Sequence, residues 1–243
     1  MFDRKKYKSF AKQQLKNRWG VVILVILLTT VVSLLFDIPR MIQSFSDFDF
    51  QEYTNLILEE PGSAYRYLMQ TVYGSNSYLL TFVQSFVSII LSVAAINVYL
   101  KMSRSPEKVS LSVFFEGLNN WWRAILAYLW NFLWVFLWTM LFIIPGIVKS
   151  YAYSQIYYII VEHPGISITK AMKISMIITK GHKADLFVQD LSFIGWYILG
   201  ALTFGIGYLW ITPYRDMTFI NSYHAMLKEA LETGKLKPED LTE

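Results

Sequence analysis

Seven polar side chains set inside apolar stretches are the residues whose types could do chemistry in this chain: Asn131, Gln155, Asp190, Arg215, Asp216, Asn221 and His224. Hydrocarbon solvates none of them, so each must face a bundle interior or a wet cavity. Two readings follow. Such groups can replace the hydration shell of a polar solute and so line a transport pathway. Alternatively, the amides bond between helices, Arg215 and Asp216 stand at the outer interface, and Asp190 stands near the cytoplasmic end of the preceding helix.

Nucleophilic, metal and cofactor chemistry have no motif behind them. Cysteine is absent, which excludes thiol nucleophiles, disulfides, thiolate zinc sites and iron–sulfur clusters. The three histidines, His163, His182 and His224, lack metal-ligand spacing. His163 and His182 flank a surface helix and read as solvated loop residues. GxSxG, the P-loop and GxGxxG are all missing. No catalytic, cofactor-binding or metal-binding residue is assigned, no cofactor is implied, and the expectation is a protein that is not an enzyme.

Basic residues form the other candidate set. Lys5, Lys6, Lys8 and Lys12 alternate at helical spacing with Tyr7, Phe10, Ala11 and Leu15. Residues 1–18 therefore read as an amphipathic helix lying on anionic inner-leaflet lipid. Residues 166–180 read the same way, with Ser167 as N-cap and Gly181 just past the end. Ile168, Ala171, Met172, Ser175 and Ile178 share one face, while Lys170, Lys173 and Lys180 share the other.

These side chains must be held by elements suited to a bilayer. Apolar residues make up 54% of the 243 and charged residues 16%, against about 25% charged in soluble domains. The apolar residues come in long blocks, as a membrane accepts and water does not. Six spans are predicted: about Trp19–Phe36, Tyr78–Leu100, Trp121–Ile144, 147–162, Leu186–Trp210 and 214–231, with Pro145–Gly146 and Pro213 as helix breaks. Gln84 and Asn97 offer interhelical hydrogen bonds. The first span precedes Asp37, Ile38, Pro39 and Arg40 rather than a small-residue cleavage site, so it reads as a retained signal anchor. Segment 37–77 is acidic and poor in Lys and Arg, which places it outside and both termini inside. Treating 147–162 and 214–231 as interfacial leaves four spans and the same termini.

The runs LFIIPGIVKSYAYSQIYYII and TKGHKADLFVQDLSFIGWYILGALTFGIGYLWITPY, with Asn17–Arg18–Trp19–Gly20, resemble the bacterial membrane family called domain of unknown function 975. The likeness covers nearly the whole chain apart from the acidic loop. A looser pattern, Ser167, Ala171, Ser175 and Gly181, is similar to the membrane domain of some glycerophosphodiester phosphodiesterases. The resemblance implies a multi-pass fold in a bacterial plasma membrane and brings no activity.

The sequence thus predicts an all-α transmembrane bundle of about six membrane helices plus amphipathic surface helices, a single domain over 1–243 with a charged tail at 232–243. The first functional reading is a non-enzymatic binding or scaffolding protein whose partners are the bilayer, anionic lipid, and a partner membrane protein or a second copy, with no nucleic acid. A small transporter or permease subunit is the alternative, and a lipid-acting membrane enzyme a remote one.

Overall fold

The computed structural model describes residues 2–74 and 78–242, with side chains throughout except at 72–74. The predicted segments 1–18, 37–77 and 232–243 each have an end outside these residues. No strand occurs among the described residues, and the all-α expectation holds. In chain order the helices are α1 (Arg4–Leu15), α2 (Trp19–Asp47), α3 (Phe50–Glu59), α4 (Pro61–Gly74), α5 (Tyr78–Arg104), α6 (Ser112–Gly117), α7 (Trp121–Leu141), α8 (Ile143–Tyr153), α9 (Ile156–Glu162), α10 (Ile168–Ile178), α11 (Lys183–Leu191), α12 (Ile194–Leu202) and α13 (Tyr208–Glu232). Three stretches are long and apolar enough to cross a membrane: Trp19–Asp47, Tyr78–Arg104 and Ser112–Leu141.

Several helix ends follow from local chemistry. Asp3 caps α1 by accepting from the Lys6 backbone N–H at 3.0 Å. Asn17 ends it in the left-handed region at φ 63°, which Asn tolerates better than most residues. Arg18 then caps a different helix. Its guanidinium donates to the carbonyls of Met102 at 3.2 Å and Ser105 at 2.6 Å, at the end of α5 where carbonyls lack intrahelical partners.

The predicted breaks are not where the chain breaks. α7 stops at Phe142, which is extended, and Pro145 lies in the first turn of α8, where a missing N–H costs nothing. The predicted fourth helix is two pieces, α8 and α9, jointed at Ser154–Gln155. The predicted fifth is also two, α11 and α12, jointed at Ser192–Phe193. Pro213 does not break its helix, because α13 starts at Tyr208 and runs through it. The turns before it close with short-range bonds such as Trp210 N–H to Gly207, and the proline lies in the second turn of the helix. Segment 37–77 is helical over most of its described length, since α2 continues through Pro39 to Asp47 and α3 and α4 follow.

The chain forms two compact units, Met1–Leu27 with Ile89–Glu243, and Leu28–Ser88. In the first, α13 is the central element, burying Met217, Thr218, Ile220, Tyr223 and Met226. α1 lays Tyr7, Ala11 and Leu15 against it, each large apolar side chain contributing about 1.5–3 kcal/mol by leaving water. α10 buries Ala171, Met172, Ser175 and Ile178 of the predicted face together with Ile174, while Ile168 of that face is half-buried. In the second unit α3 packs on α4, and the Asp49 N–H donates to the Tyr67 hydroxyl at 2.8 Å. There Arg40 donates to Asp37 at 3.2 Å and to Thr81 and Gln84 at 2.9 and 3.1 Å.

Candidate functional site

Three of the predicted polar residues meet in one charged cluster. Arg215 on α13 donates to Asp190 at the end of α11, 2.9 Å from Nη2 and 3.2 Å from Nε. Its other nitrogen lies 3.4 Å from Asp216. The Tyr151 hydroxyl from α8 donates to the second Asp190 oxygen at 3.3 Å, and the guanidinium stacks 4.5 Å from the Phe219 ring. The separation of Asp190 and Arg215 to opposite ends of neighbouring helices is therefore corrected. α13 starts six residues earlier than expected, so Arg215 lies two turns inside it and faces α11. With all three groups ionised, one guanidinium faces two carboxylates.

The amides divide between bonds to other helices and local ones. Gln155 is wholly buried in the α8–α9 joint, where its backbone N–H donates to Ser175 on α10 at 3.2 Å and its side chain donates to Ser154 at 2.6 Å. Asn131 reaches the Tyr157 hydroxyl at 3.5 Å. Asn221 ties α13 to α1, donating to Gln14 Oε1 at 2.8 Å. Asn97 donates to the Val113 carbonyl at 2.9 Å. None of Gln155, Asn131 or Asn221 joins the Arg215 cluster.

A second polar cluster gathers around Glu162, which no motif in the sequence marks. Its side chain is 3% exposed and takes Arg104 at 2.6 Å on Oε1 and the Tyr223 hydroxyl at 2.8 Å on Oε2. His224 Nδ1 lies 3.9 Å from Oε1, and its Nε2 lies 2.9 Å from Ser103 Oγ. Ser103 and His224 open onto a cavity of about 680 Å³ between α1 and α13, whose walls include Phe2, Tyr7, Phe10 and Lys6. The Tyr223 bond and the Arg104 ion pair replace part of the hydration that the buried carboxyl loses. His163 and His182, read as solvated loop residues, are instead partly buried. His182 stands 3.2 Å from Glu229, and His163 raises its Nε2 toward Glu162 at 4.0 Å.

The basic residues divide. Lys5, Lys6, Lys12, Lys173 and Lys180 are exposed. Lys8 turns inward to the Ser192 carbonyl at 3.2 Å and over the Phe193 ring at 4.2 Å. Burial, then the charges of Arg4 and Lys12, push its pKa below the usual lysine range. Lys170 donates to the Thr242 carbonyl at 2.6 Å. The apolar stripe of α1 is packed against α13 rather than turned outward as a surface-lying helix requires, because α13 presents a complementary apolar face.

A family model described as "Protein of unknown function (DUF975)" matches the chain over residues 1–149 and 140–230. No curated protein and no solved structure matches it. The looser likeness to the membrane domain of glycerophosphodiester phosphodiesterases is not shown.

Proposed function

This chain belongs to the DUF975 family of proteins of unknown function, and from that premise we propose that it is a multi-pass protein of a bacterial plasma membrane that gathers anionic lipid at its cytoplasmic face. One observation carries the reading. Docking Tyr7, Ala11 and Leu15 onto α13 leaves Lys5 and, just past the helix end, Lys16 exposed, with Lys12 exposed over the Tyr214 ring at 5.6 Å, and packing of α10 leaves Lys173 and Lys180 exposed likewise. A fixed array of ammonium groups attracts anionic headgroups at about 1 kcal/mol per lysine near the surface. Six crossings fit the helices, with α8–α9 as a jointed crossing, α12 and the first turns of α13 as a short hairpin, and the three long apolar stretches; the part of α13 that α1 flanks stays on the cytoplasmic side with the lysines. Both termini are then cytoplasmic.

The test is titration of the full-length protein in neutral detergent with a short-chain phosphatidylglycerol and, separately, a short-chain phosphatidylcholine. Preference for the anionic lipid, lowered at least tenfold by Lys5→Gln, Lys12→Gln, Lys173→Gln and Lys180→Gln together, supports the reading. Equal binding of the two lipids by the wild-type protein sinks it.

The Asp190–Arg215–Asp216 cluster favours a second reading, a small transporter. Two carboxylates on one guanidinium leave a negative charge that a proton or cation would balance, and uncompensated charge is costly at membrane depth. Vesicles containing the protein would then acidify or take up cation under a gradient, and Asp216→Asn would abolish the flux. A tight vesicle with wild-type protein removes this reading.

A further inference from the structure

We infer that Ser103, His224 and Glu162 form a nucleophilic site for carboxylic esters, opening into the cavity between α1 and α13. This goes beyond lipid gathering and stands without it. The three residues come from the ends of α5 and α9 and from the body of α13, and they meet in the order that activates a serine. Ser103 Oγ lies 2.9 Å from His224 Nε2, and Glu162 Oε1 faces the other ring nitrogen at 3.9 Å. A nucleophile beside a base that is itself oriented by a third group is the general form of such a site. At 3.9 Å Glu162 acts on the imidazole through its charge and not through a hydrogen bond, its Oε1 being held by Arg104 at 2.6 Å.

Exposure within the cluster is graded as the chemistry requires. Ser103 and His224 line the cavity and Glu162 does not. Glu162 is 3% exposed and locked by Tyr223 and Arg104, so it acts through the imidazole as a positioning residue. The Ser103 hydroxyl has two acceptors, the Leu100 carbonyl at 2.7 Å and His224. Rotation from the first to the second arms the serine. The cavity, about 680 Å³, is of the size that holds a small ligand. Phe2, Tyr7 and Phe10 on its walls suit an acyl chain, and Asp3, Lys6, Glu229 and Glu232 make the rest of the lining polar.

In the reaction, Ser103 Oγ bonds to the ester carbonyl carbon while its proton passes to His224 Nε2. Collapse of the adduct breaks the bond to the alcohol oxygen, which leaves with that proton. Water, deprotonated by the same imidazole, then attacks the acyl-serine. The carboxylic acid departs and the Ser103 hydroxyl is restored.

The experiment treats the full-length protein in detergent with a fluorophosphonate, which phosphonylates an activated serine as fluoride leaves. The modified residue is mapped by peptide mass spectrometry on the wild-type protein, so the result does not depend on a variant folding. Modification at Ser103 is expected, with its rate lowered about 100-fold or more in His224→Gln. Glu162→Gln slows it less and moves the acid limb of its pH profile to lower pH, a change that loosened packing alone would not produce. Two ester arms identify the source. Release of p-nitrophenol from a water-soluble acyl ester names a soluble substrate, and fatty acid release from phosphatidylglycerol in nanodiscs names a lipid. No modification, or modification elsewhere, overturns the site. Modification of Ser103 without turnover of either ester overturns the ester assignment.

Discussion

At the residue scale, charge that must leave water makes the sharpest demands. Arg215 serves two carboxylates, at 2.9 Å and 3.4 Å. Removing a shared cation strands both partners, and because each of the three side chains is about a third exposed the cost falls below the roughly 3–5 kcal/mol of fully buried pairs. Arg215→Met should therefore lower the melting temperature in detergent far more than Asp190→Asn, which leaves Arg215 paired with Asp216. Adding Asp190→Asn to Arg215→Met should recover part of the loss, a coupling that independent sites would not show. Lys8 makes the opposite case. Burial and neighbouring cations lower its pKa, so the folded state binds its proton less readily than the unfolded chain does. Stability then rises with pH through the lowered value toward 10.5. Lys8→Gln keeps a donor for the Ser192 carbonyl, and it should raise the melting temperature near neutral pH by up to about 2 °C. The gain should vanish in a scan carried to alkaline pH. All seven polar candidates could be picked out from the sequence, because a polar residue in an apolar block announces itself. Ser103, Arg104 and Glu162 could not, because they lie at block ends where polar residues are ordinary. Only the tertiary approach of α5, α9 and α13 brings them together.

At the element scale, helix ends written in side-chain chemistry were legible and those written in packing were not. Ser167 caps α10 by accepting from the Lys170 N–H at 3.3 Å, and Gly181 beyond it has φ 96°, both from local rules. Pro145 misled because it lies in the first turn of α8, where no intrahelical bond is lost, and Pro213 because α13 accommodates it in its second turn, as α2 accommodates Pro39. Gly146 likewise reads as part of a turn but serves close packing. A Cβ there would meet the Thr139 backbone Cα at 2.9 Å and its hydroxyl closer still. Backbone cannot yield as a flexible side chain can, so α7 and α8 would have to separate. Gly146→Ala should cost about 1–3 kcal/mol, read as a lowered melting temperature. Gly195→Ala, where no atom lies within 4 Å of the new carbon, should leave it nearly unchanged. Equal losses at the two positions would refute the packing account.

At the scale of the whole molecule, apolar length separates what is settled from what is proposed. Three stretches are long and apolar enough to cross a bilayer, and composition alone identified them. The remaining crossings were only partly legible, because α8–α9 and α11–α12 are jointed and α13 carries Arg215 and Asp216. In hydrocarbon a joint exposes backbone groups, which is tolerable only when neighbouring protein covers them. Gln155 and Ser175 cover the first joint, which is thereby compatible with membrane depth, whereas the Lys8 ammonium of α1 meets the Ser192 carbonyl and draws the second joint toward the cytoplasmic side. Topology can be read by single-cysteine labelling, since the chain has no cysteine of its own. Gly146 and Pro213 are buried and would report burial instead of sidedness. Phe142 at the α7–α8 turn is 72% exposed and Phe204 at the α12–α13 turn is 98% exposed, so they are the informative sites. With six crossings, Phe142→Cys and Phe204→Cys react with an impermeant thiol reagent in intact cells, and Ser105→Cys and Ser167→Cys react only after lysis. If Phe142→Cys and Phe204→Cys also wait for lysis, neither turn reaches the outer face, and neither the α7–α8 nor the α12–α13 hairpin crosses as proposed. The Arg215 cluster would then sit in a cytoplasmic body, where its unbalanced charge meets water and the transport reading loses its physical basis.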